Sequence, residues 1–68
     1  MDLKRLIEPE ADRYRALCNF SDEEMAVFNL RIRDKRVIEI SMTLGMGEAT
    51  VKRRLCSIRQ KVDRVSQM

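Results

Sequence analysis

Gly45 constrains this chain more than any other residue. Before it, Val37, Ile40 and Leu44 recur at the three-to-four-residue spacing of one helix face, and after it Val51 and Leu55 restart the same period. Two helices joined by so few residues must cross at a steep angle. Gly45 can end the first of them in the left-handed conformation that a residue without a β-carbon adopts at no cost. This geometry is a helix-turn-helix, in which the second helix is carried on the first and its outer face is left free.

The residues around the turn fit this reading. The first helix starts at Lys35 or Arg36 and faces Ile40 and Leu44 inward, with the small Ser41 where the two helices come closest. Met46 plugs the turn from inside, and Gly47 is a weak but permitted N-cap. The second helix is expected from about Glu48 to Val65, with Val51, Leu55, Ile58, Val62 and Val65 as its buried stripe. Its other sides carry Lys52, Arg53, Arg54, Arg59, Lys61 and Arg64. Eighteen or so residues at about 1.5 Å each make a rod of roughly 27 Å, long enough to lie in a nucleic-acid groove.

Upstream, Ser21-Asp22-Glu23-Glu24 is a helix start. Ser21 and Glu24 can form a capping box, Phe20 and Met25 a hydrophobic staple, and three acids suit the helix dipole. This helix is expected to run to about Arg33, burying Met25, Phe28 and Ile32, with Val27 and Leu30 at the edges of the stripe and a connection near Asp34. Further upstream, Leu3, Leu6 and Ile7 share a face, and Ala11, Tyr14, Leu17 and Cys18 continue it past Pro9. Proline suits a first turn, so Glu10 to Cys18 is the firm part, with Tyr14 and Leu17 turned inward. This segment either covers one side of the core or makes a dimer contact.

Composition sets the frame. Sixty-eight residues with one proline and two glycines leave little material for strand turns, so an all-α fold is expected. The reading is a small three-to-four-helix bundle containing the helix-turn-helix (residues 20–68), preceded by an extra N-terminal helix (residues 1–19). No long apolar run suggests a membrane span or secretory signal, and a cytoplasmic location is expected. The chain has no histidine, and Cys18 and Cys56 lack metal-site spacing and read as small hydrophobes in a reducing compartment. No serine or cysteine has an activating partner in sequence, so neither catalysis nor a cofactor, metal or small-molecule ligand is expected.

The net charge of +3 is unevenly placed. Residues 1–30 carry four basic and seven acidic side chains, a balance of −3, and residues 31–68 carry ten and four, a balance of +6. The basic half holds the glycine turn. A one-sided positive field of this kind attracts phosphates, the alternative being a basic surface kept for solubility.

From Phe20 to Val62 the residues resemble the helix-turn-helix domains of LuxR/GerE regulators and region four of bacterial sigma factors. The likeness lies in Phe20-Ser21-Asp22-Glu23-Glu24, in Val27, Phe28 and Leu30, and in Glu39-Ile40-Ser41. It continues through Leu44-Gly45-Met46-Gly47, Thr50-Val51-Lys52, Arg53-Arg54-Leu55 and Ile58-Arg59. The lead-in Cys18-Asn19-Phe20 is similar to stand-alone sigma-factor-like proteins of Firmicutes. Ser41 stands where the family has a small alanine, Gly47 where it has a capping serine, and Arg36-Val37 where a polar cap precedes the first helix.

The resemblance implies a bacterial transcription regulator that binds double-stranded DNA. Carried over by position, Glu48, Ala49, Lys52, Arg53 and Cys56 are the base-contact candidates, while Thr50, Arg54 and Arg59, with Arg33, Lys35 and Arg36, are the phosphate-contact candidates. Glu48 can accept from a cytosine amine or can serve simply as a first-turn acid. Specific sites usually need two modules, so a homodimer or a larger partner is expected, through the N-terminal segment or through Val62, Val65 and Met68. The alternative is a sigma-like module that docks on RNA polymerase through acids such as Asp22, Glu23 and Glu24 and has little DNA affinity of its own.

Overall fold

The computed structural model describes Leu3 and residues 6–67, and within them four helices follow in order: α1 (Glu8–Leu17), α2 (Asp22–Arg31), α3 (Val37–Leu44) and α4 (Glu48–Ser66). The described residues contain no strand, and the fold is the small helical bundle expected. α2 and α3 pack on α4 and on each other, and α1 lies on α4. One core joins Leu3, Ala11, Tyr14 and Cys18 to Val27, Phe28, Ile40 and the α4 stripe, so the N-terminal segment belongs to the same hydrophobic unit as the rest.

Each helix start is set locally. Pro9 lies in the first turn of α1, and the Glu10 carboxylate accepts the Ile7 amide at 3.4 Å. The capping box at Ser21 is complete: the Ser21 hydroxyl accepts from the Glu24 amide at 3.2 Å, and Glu24 accepts from the Ser21 amide at 2.9 Å. α3 has half such a box, because the Glu39 carboxylate takes the Arg36 amide at 3.0 Å while the Arg36 side chain can only donate. That amide, against slight desolvation and helped by nearby Lys35, holds the Glu39 carboxyl below its ordinary range.

Two helix ends share one device. Asp34 (φ 65°) follows α2 and Gly45 (φ 67°) follows α3, both left-handed. Beyond each, an amide reaches back five residues, Lys35 to the Leu30 carbonyl at 3.3 Å and Met46 to the Ser41 carbonyl at 3.1 Å. These are the long bonds of Schellman turns, and aspartate tolerates the left-handed region better than most residues. Ser41 adds a tie of its own, its hydroxyl donating to the Met46 carbonyl. Ser41 thus clips the turn through both its carbonyl and its hydroxyl.

Several side chains differ from the sequence reading. Leu17 is 49% exposed, because Ala11, Tyr14 and Cys18 make the inward stripe and successive helical residues lie about 100° apart. α2 ends at Arg31 rather than near Arg33. It buries Glu24, Val27 and Phe28 as its central stripe and leaves Met25 and Ile32 half-buried, with α3 and α4 both packed on it. Phe20 lies with its ring centroid 4.9 Å from that of Phe28. The α4 stripe is buried as expected, but Val62 and Val65 are taken up by the chain's own core and offer no surface to a second copy. Met68 lies outside the described residues.

The start of α4 has no side-chain cap. Gly47 takes ordinary extended angles (φ −67°, ψ 151°), and a β-carbon there would meet only the Thr50 hydroxyl, at 4.0 Å. Gly47→Ser therefore supplies an acceptor to the first turn and stiffens the unfolded chain. It should stabilise the fold by about 0.5–1 kcal/mol and raise the melting temperature by roughly 3–6 °C. An unchanged or lower melting temperature by circular dichroism would count against this account of the cap.

Candidate nucleic-acid interface

α4 carries six basic residues, and the fold sorts them into two groups. On the flank turned to α2, Arg54 donates to Glu23 at 3.0 Å and Lys61 to Glu24 at 2.6 Å. The other four, Lys52, Arg53, Arg59 and Arg64, are exposed. By helical phase Arg53 and Arg64 share the side opposite the buried stripe with Ala49, Cys56 and Gln60, while Lys52 and Arg59 lie on the flank away from α2, with exposed Asp63 between the two groups. The sequence places Arg54 and Lys61 in the free basic surface, and the structure pairs both with acids of α2.

Glu24 is the polar centre of the α2–α4 seam. One carboxylate oxygen accepts from the Ser21 amide and from Lys61, the other from the Ser57 hydroxyl at 2.6 Å. Lys61 also donates to the Asn19 carbonyl at 3.4 Å. Glu24 is 5% exposed, so burial pushes its carboxyl up. The bonds from Lys61, the Ser21 amide and Ser57 outweigh that and hold it at about 2. Its capping role is written in the local sequence, whereas its hold on α4 is not. The only trace is that Ser57 and Lys61 stand four apart on one side of a basic helix.

All five base-contact candidates, Glu48, Ala49, Lys52, Arg53 and Cys56, are exposed in the first three turns of α4. Arg53 also leans on Thr50, its guanidinium 3.4 Å from the hydroxyl. The phosphate-contact candidates do not share one surface. Thr50 and Arg54 are half-buried on the α2 side, Arg59 is on the opposite flank, and Arg33, Lys35 and Arg36 are exposed around the α2–α3 connection. Arg36 is drawn to Glu39 at 3.5 Å, and neighbouring Arg31 donates to the Lys35 carbonyl at 2.9 Å. Gln60 was not anticipated. It lies one turn beyond Cys56 on the open side, and only the phase of the whole helix reveals it.

The cysteines part company. Burial pushes the Cys18 thiol up against a weaker opposite pull from Lys61, while Cys56 is a free, exposed thiol rather than a core residue. A half-open depression of about 260 Å³ lies beside Cys18, lined by Leu17, Asn19, Lys61, Arg64 and Val65. No described helix is long and apolar enough to cross a membrane. No protein-family model, curated protein or solved structure matches the chain.

Proposed function

We propose that this is a sequence-specific double-stranded-DNA-binding protein that acts in transcription in the bacterial cytoplasm by binding rather than catalysis, with the first turns of α4 in the major groove. One observation carries the reading. The α4 cations that α2 does not engage, Lys52, Arg53, Arg59 and Arg64, are all exposed, on a helix presented by a glycine turn. The resemblance to LuxR/GerE and sigma region-four domains supports it. Docking on RNA polymerase through Asp22, Glu23 and Glu24 is less well supported, since Glu24 is buried in its bonds to α4. Two copies on paired half-sites would supply the affinity a single module lacks. Exposed Ile7 and Leu17 are consistent with the N-terminal segment as that contact.

The test is titration of a labelled duplex of about twenty base pairs, followed by anisotropy. Affinity should fall at least tenfold between about 50 and 200 mM salt, and Lys52→Ala and Arg53→Ala should each weaken binding by about 1–3 kcal/mol. The stoichiometry at saturation reads the number of copies. Absence of binding at the lowest salt sinks the proposal.

A further inference from the structure

Glu23 and Glu24 are neighbours at the start of α2 and both reach α4, but in different surroundings. Glu24 is buried and its bonds are shielded. The Glu23–Arg54 pair is open to water, with side chains 55% and 39% exposed and a contact of 3.0 Å. A pair in that setting is weak and exchanges readily with solvent or another ion. Arg54 also lies one turn beyond Thr50 on the same flank of α4. A helix about 10–12 Å across fills a major groove about 12 Å wide, so both flanks of a helix lying there run beside phosphates.

From this we infer that Glu23 is a brake on duplex binding. It holds Arg54 in the free protein, and Arg54 leaves it for a phosphate when α4 enters the groove. The inference rests on the DNA-binding reading and adds a residue that sets its strength. The step is an ion exchange. Arg54 on a phosphate displaces a cation from the duplex, but the bared Glu23 carboxylate beside the same strand keeps the net charge of the pair at zero, so little counterion release is gained. The same carboxylate is left facing the phosphate strand. With glutamine at position 23 both penalties vanish and the Arg54 contact counts in full.

The experiment is a mutant cycle on a labelled mixed-sequence duplex of about twenty base pairs. Glu23→Gln should bind about five- to tenfold more tightly than the unaltered protein near 0.1 M salt, with a salt slope steeper by about 0.9. In an Arg54→Ala background the same change should have little effect. An equal gain in both backgrounds means that Glu23 acts only through its long-range field, and overturns the inference. So does salt-dependent binding by the unaltered protein that Glu23→Gln leaves unchanged, which spares the DNA reading. If neither the unaltered protein nor Glu23→Gln binds at low salt, both fall. Far-ultraviolet circular dichroism of each variant, expected to match the unaltered protein, keeps a folding defect from passing for a binding result.

Discussion

Glu24→Ala is expected to destabilise the fold by about 2–4 kcal/mol, read from the urea midpoint at neutral pH. The change strips Lys61 of its counter-charge, Ser57 of its acceptor and the Ser21 amide of its cap. It also has a signature in acid. A carboxyl held at about 2 when folded, against an ordinary 4.5, gives its full stabilisation above the ordinary value and loses it as pH falls toward the folded one. Between about pH 5 and pH 2 the unaltered protein should therefore lose on the order of 2–3 kcal/mol through this group, and Glu24→Gln should lack that part of the acid limb. Equal acid sensitivity in the two proteins would show that the Glu24 bonds contribute nothing to stability.

Phe28→Ala should cost about 3–5 kcal/mol. The ring is fully buried in the core next to Phe20, and the Arg15 guanidinium of α1 lies 5.6 Å from its centroid. Arg15 is itself fixed by Asn29 at 2.9 Å and Asp12 at 2.7 Å, so the contact ties α1 to α2 as well as filling the core. Sixty-eight residues sustain a total stability of only roughly 3–10 kcal/mol. A large part of it should go with this ring, so the variant should melt at least about 12 °C lower than the unaltered protein or lose its cooperative thermal transition. A sharp transition within a few degrees of the unaltered protein would mean that the core closes over the gap.

What was legible in the sequence was local. The Ser21 capping box, the Gly45 turn and the α4 stripe from Val51 to Val65 each depend on residues within a few positions of one another, and all three stand as read. What was not legible depends on how one helix is rotated against another. Nothing in the period of α1 says that Cys18 rather than Leu17 meets α4. Nothing around Arg54 or Lys61 says that each faces an acid more than thirty residues away. The candidate interface was affected in the same way. Its exposed residues were recognisable from helical phase, but that Arg54 and Lys61 are held by acids follows only from the α2–α4 seam.

That seam also has a consequence for the order in which the molecule assembles. The α3–α4 corner closes over a handful of residues, whereas the bonds from Glu24 to Ser57 and Lys61 span 33 and 37 positions of chain. Loop closure over that distance costs more conformational entropy than the corner does, and it brings nothing back until both ends have met. The corner is thus the nucleus available early, and the clasp at Glu24 is a late latch. A brief opening at the same place would free the first turn of α2 and leave the glycine corner intact, so the amides of that turn are set to exchange with solvent sooner than those in the middle of α4.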